Sequence, residues 1–79
     1  MRLLLVEDDE ETGSAVVEAL RARGHAVDWE TDGQAGLDRA VTGTYALLVI
    51  DRMLPGIDGL SLVAELRRRQ ITAPILILT

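Results

Sequence analysis

Two short apolar runs in this sequence each end in carboxylates. Leu47-Leu48-Val49-Ile50 delivers Asp51, and Leu3-Leu4-Leu5-Val6 delivers Glu7, Asp8 and Asp9. A short unbroken apolar run reads as a strand buried on both faces, so both sets of acids are predicted at strand carboxyl ends, where open α/β sheets place their chemistry. The stretch from Arg52 to Gly59 contains Pro55-Gly56 and Asp58-Gly59, so the backbone turns just past Asp51 and leaves it at a loop mouth. Carboxylates gathered in one place repel one another. At least one is expected to hold its proton unusually well, and the group calls for a cation. Neither His nor Cys accompanies them. Oxygen-only ligands select a hard divalent ion, and a shallow site on two strands suits hydrated Mg²⁺ better than a Ca²⁺ cage, with Mn²⁺ able to substitute.

Such a site needs elements that bring Glu7, Asp8 and Asp51 together. From Glu10 to Arg23 the residues favour a helix, with Asp9 as its N-cap, acids in the first turn, a stripe of Val16, Ala19, Leu20 and Arg23, and Gly24 as the stop. Ala26-Val27-Asp28-Trp29-Glu30 alternates, which suits an edge strand with Val27 and Trp29 inward and one wet face. Asp32-Gly33 opens a second helix through about Thr42, buried along Leu37, Ala40 and Val41 and ended by Gly43; Gly33 and Gly36 lower its intrinsic propensity. Asp58 caps a third helix to about Gln70, with Leu62, Val63 and Leu66 inward, and Pro74 to Thr79 is a fourth strand.

Alternating strands and helices without repeat or linker predict a parallel sheet wrapped by helices. The alternating second strand belongs at an edge and the continuous runs further in, giving the order 2-1-3-4. Right-handed crossovers then put the first helix on one face and the other two on the opposite face. The chain reverses direction between strands 1 and 3, and the crevice at that switch point is where the three acids should meet.

Composition narrows the function. Seventy-nine residues allow one domain, and a chain of this length buries only about 60% of its unfolded surface. With two aromatics and no Phe the core must be aliphatic. A net charge of −5 gives no general footprint for nucleic acid. Arg67-Arg68-Arg69 reads as cations favoured at a helix C-terminus rather than a nucleic-acid patch. The lack of Cys rules out disulfides and thiol chemistry. The apolar run after Met1-Arg2 is too short for a signal-peptide core or a membrane span, so a soluble, cytoplasmic chain is expected. Trp29 is expected as an edge-strand core residue and His25 as exposed.

The residues resemble the receiver domain of bacterial two-component response regulators. Val6-Glu7-Asp8-Asp9 is similar to its acidic metal-binding turn, Asp51 to its phosphoacceptor, Met53-Leu54-Pro55-Gly56-Ile57-Asp58-Gly59 to the loop after it, and Thr79 to its switch hydroxyl at the end of strand 4. The wording of that loop looks most like the OmpR/PhoB-type subfamily, whose receivers are joined to a winged-helix DNA-binding domain. The resemblance implies a flavodoxin-like (CheY-like) doubly wound sheet. It also implies that residues 1–79 are an incomplete receiver, ending before helix 4, strand 5 and helix 5, with the lysine of strand 5 absent.

By that resemblance Asp51 takes a phosphoryl group from a sensor histidine kinase with Mg²⁺. Asp8 would bind the ion directly, Glu7 through water and Met53 through its backbone carbonyl, while Thr79 would hydrogen-bond a phosphoryl oxygen. The chain would be a phosphoacceptor rather than an enzyme, and DNA would be reached only through a separate C-terminal domain. Arg52 has the reach to touch the phosphoryl group, although a solvated loop arginine is the simpler reading. Two other functions compete. An aspartyl-nucleophile phosphohydrolase would need an acid two residues after Asp51, where Met53 stands. A non-phosphorylated interaction scaffold would need none of the acids. An uncovered fourth strand also predicts self-association.

Overall fold

Aliphatic strands and amphipathic helices alternate along the whole chain. The computed structural model describes residues 1–79, with β1 (Arg2–Val6), α1 (Glu10–Ala22), β2 (Ala26–Glu30), α2 (Gly33–Thr42), β3 (Leu47–Asp51), α3 (Gly59–Arg68) and β4 (Ile75–Leu78). All strand pairs are parallel and the sheet order is β2-β1-β3-β4, as the patterning required. The register sets Leu3 opposite both Val27 and Leu47, and Asp51 opposite Leu78.

Alternate strand residues point to opposite faces, so the sheet carries two cores. Leu4, Val6, Leu48 and Ile50 are buried with Leu37 and Ala40 of α2 and Leu62 and Leu66 of α3. On the opposite face Leu3, Leu5, Val27 and Val49 are buried with Val17 of α1. Both faces of β1 and β3 are therefore covered, which is why their sequences are continuously apolar.

Each helix begins on the predicted aspartate. Asp9, Asp32 and Asp58 accept from the backbone N–H groups of Thr12, Ala35 and Ser61 at 2.8, 2.8 and 2.9 Å. The ends and inward lines differ in places. The α1 stripe runs through Gly13 and Val17, flanked by half-buried Val16 and Leu20, while Ala19 and Arg23 are exposed. Adjacent valines widen the apolar sector, and the seating of Trp29 on Gly13 selects which line faces the sheet. The helix α3 stops at Arg68 rather than Gln70, because Gln70 takes a left-handed φ of 62°. Gly33 and Gly36 lie where α2 closes on the Ile57 carbonyl and the Val6 side chain.

The polar face of β2 is not simply wet. Asp28 accepts from the Tyr45 hydroxyl at 2.6 Å and from Arg2 at 2.9 Å, and Glu30 accepts from Arg39 at 2.6 Å. His25 is half-buried, with Nδ1 3.3 Å from the amino terminus. Arg68 and Arg69 pair with Glu65, and Arg67 donates to the Ile71 carbonyl, in line with a helix-terminal role for the three arginines. No helix is long and apolar enough to cross a membrane.

Candidate metal and phosphoacceptor site

The central strands β1 and β3 are neighbours in register, so the residues that follow them emerge side by side. Glu7 and Asp8 leave β1 and Asp51 ends β3. One carboxylate oxygen from each lies within 4.8 Å of the others. The predicted convergence of these three acids is thus present in the fold.

Their environments differ. Glu7 is buried, with 5% of its surface exposed, Asp51 is half-buried and Asp8 is exposed. The Glu7 Oε2 atom is fully buried and has no hydrogen-bond partner. Burial first, then the close approach of Asp51, then repulsion from Asp8, push the Glu7 carboxyl up to about 7. A buried carboxylate with one oxygen lacking a donor, gathered with two more carboxylates, is the surroundings a cation would satisfy. The donors are all oxygens, which fits a hard divalent ion.

The loop after β3 shapes the mouth. The Met53 N–H donates to Asp51 Oδ1 at 3.3 Å, and the Met53 side chain is 75% exposed. The Arg52 N–H donates to the Leu78 carbonyl and the Gly59 N–H returns to the Arg52 carbonyl, both at 2.9 Å. A Cβ at Gly59 would lie 2.2 Å from the Asp51 carbonyl oxygen, so only glycine lets α3 begin this close to the end of β3. Arg52 is exposed and makes no ion pair. Thr79 is exposed one residue past β4; with Asp51 opposite Leu78, it stands at the same sheet edge as the acids but is bonded to none of them.

Sequence reasoning missed two polar contacts of the aromatic side chains, one of them at the site. Tyr45 is buried and joins Asp28 and Arg2 at the far end of β1; burial, then its bond to Asp28, push its phenol up to about 12. Trp29, expected only to pack, also donates its indole N–H to the Glu7 backbone carbonyl at 2.9 Å. Nothing in the local sequence around either residue signals its partner, which lies on another strand.

The family described as the response regulator receiver domain matches residues 3–79. The transcriptional activator protein IrlR of Burkholderia pseudomallei is 44% identical over 79 residues, all of this chain and 34% of IrlR. The chain accordingly spans about a third of the length of the curated relatives it matches. Among solved structures, the receiver domain of Francisella response regulator 1452 superposes with a TM-score of 0.94 at 30% identity, covering 96% of this chain and 63% of that one. The response regulator TrrA of Thermotoga maritima, solved with Mg²⁺-BeF, gives 0.93 at 32% identity, covering 99% and 68%. TrrA has also been solved in complex with the histidine kinase ThkA.

Proposed function

Since this chain belongs to the receiver-domain family of response regulators, we propose that Asp51 is a phosphoacceptor that works with a divalent cation held by Glu7, Asp8 and Asp51. The observation behind this reading is the buried Glu7 carboxylate, whose Oε2 has no partner, gathered within 4.8 Å of Asp8 beside it and of Asp51 at the neighbouring strand end. The donor is a sensor histidine kinase, the kind of partner with which TrrA was solved.

A carboxylate is a weak nucleophile, so catalysis must come from placement and charge neutralisation. An Asp51 oxygen attacks phosphorus while the bond from phosphorus to the donor nitrogen breaks and its electron pair returns to the imidazole. Mg²⁺, or Mn²⁺ in its place, would neutralise the carboxylates and the incoming phosphoryl oxygens. Asp8, Glu7 and the Met53 backbone carbonyl would hold the ion together with Asp51. The Met53 N–H keeps the Asp51 carboxylate oriented at the mouth. The Thr79 hydroxyl donates to a phosphoryl oxygen once that group is in place.

The chain is a phosphoacceptor rather than an enzyme, and it acts in the cytoplasm. Residues 1–79 supply the first seven elements of the receiver. Control of transcription passes to a DNA-binding output domain, in keeping with the activator and regulator relatives. Intact mass after incubation with a small phosphodonor, with and without Mg²⁺, tests the reading beside an Asp51→Ala control checked by circular dichroism. One Mg²⁺-dependent phosphoryl adduct, absent from the control, is expected. A folded chain without an adduct would overturn phosphoryl transfer to Asp51 by residues 1–79 alone, with the strand-5 lysine then required.

A further inference from the structure

We propose that Trp29 is a positioning residue for the acidic turn: its indole N–H, donated to the Glu7 backbone carbonyl, fixes Glu7 and Asp8 in the arrangement that takes a divalent cation. This inference rests on the metal reading above.

The β1–β2 pairing ends at Val6 opposite Glu30, so Glu7 stands just past the register. Its N–H still reaches the Glu30 carbonyl at 3.0 Å. Its C=O has no strand partner and is taken by the Trp29 side chain instead, at 2.9 Å. Two residues later Asp9 is locked as the cap of α1 through Thr12. Only Glu7 and Asp8 separate strand from cap, and with the indole bond in place both polar backbone groups of Glu7 are anchored. Fixing that backbone fixes the direction of its carboxylate, which must enter a buried space beside Asp51.

The opposite side of the indole shows the same fit. A Cβ at Gly13 would lie 2.1 Å from Cζ2 and 2.9 Å from Nε1 of Trp29, so the bare backbone of α1 is what admits the ring. Packing alone would be met by any large apolar side chain. The tryptophan adds a donor, and its acceptor is the backbone of a candidate ligand. Groups that hold a ligand in place set its affinity for the ion by removing conformations that cannot bind.

The test is calorimetric titration of the 79-residue chain with Mg²⁺, comparing Trp29 with 3-benzothienylalanine at the same position, which keeps the ring shape and removes only the N–H. Glu7→Gln serves as the site control. One neutral hydrogen bond predicts a roughly three- to tenfold weaker Mg²⁺ affinity in the analogue, with the metal-free unfolding midpoint little changed. Equal affinity in the two folded chains would overturn the positioning role while leaving the metal site standing. No Mg²⁺ binding by the unaltered folded chain would overturn both. If the analogue does not fold, Gly13→Ala, which displaces the ring and retains the N–H, is titrated in its place: weakened binding supports the proposal and unchanged binding overturns it.

Discussion

At the scale of the residue, burial of Glu7 carries an electrostatic cost. Its carboxyl would titrate near 4.5 in an unfolded chain and is pushed up to about 7 in the fold, chiefly by burial. Between those values the folded chain binds a proton that the unfolded chain has released. Metal-free stability is therefore expected to be highest below pH 4.5 as far as this group is concerned, and to fall by roughly 3 kcal/mol at most as pH rises through 7. Urea unfolding in chelator across that window should show the decline in the unaltered chain and a flatter profile in Glu7→Gln. Mg²⁺ should restore stability at pH 8 to the unaltered chain more than to Glu7→Gln, because a nearby cation favours the ionised form of the buried Glu7 carboxyl.

At the scale of the element, the helices are pinned by their first residues. Asp58 accepts from both the N–H and the hydroxyl of Ser61, and these bonds hold its carboxyl below the usual carboxylate range. Asp58→Ala should cost about 1 kcal/mol by urea unfolding, typical of a lost cap. Gly59 next to it should be far less tolerant. An added Cβ meets the Asp51 carbonyl and the Arg52 Cα, both backbone atoms, so either α3 or the end of β3 must shift. Gly59→Ala is expected to lose about 1–3 kcal/mol and to lower Mg²⁺ affinity as well, whereas Asp58→Ala should leave Mg²⁺ affinity near its original value. Measuring both quantities on both variants separates a cap from a spacer.

At the scale of the whole molecule, coverage of the sheet is uneven. The helix α1 packs against β1 and β2, while β4 pairs only with β3 and leaves its outer edge open. Leu76 on that strand is 53% exposed, and Ile75-Leu76-Ile77-Leu78 has neither charge nor proline to discourage another strand. Self-association through β4 is expected, visible by sedimentation as mass rising with concentration and suppressed by Leu76→Lys. A monodisperse monomer at high concentration would refute it. Charge is distributed just as unevenly. Arg52 is the only basic residue in the loops leaving the carboxyl ends of the strands, whereas Arg21, Arg67 and Arg68 fall in the last turns of α1 and α3. The site therefore opens on the negative end of the molecule, which favours cation binding there.

The sequence by itself determined the strands, their order and the meeting of Glu7, Asp8 and Asp51. Each follows from local rules: continuous apolar runs need both faces covered, aspartates cap helices, and parallel crossovers have one hand. Only the tertiary structure decided which acid is buried, since Glu7 and Asp8 are adjacent acids in sequence and only packing buries the first and exposes the second. It also decided the inward line of α1, which the adjacent Val16 and Val17 left open and the contact between Trp29 and Gly13 resolved. The bonds from Trp29 to Glu7 and from Tyr45 to Asp28 belong to the same class. They join residues on different elements, and periodicity along one element carries no information about the polar partner that packing will bring to it from another.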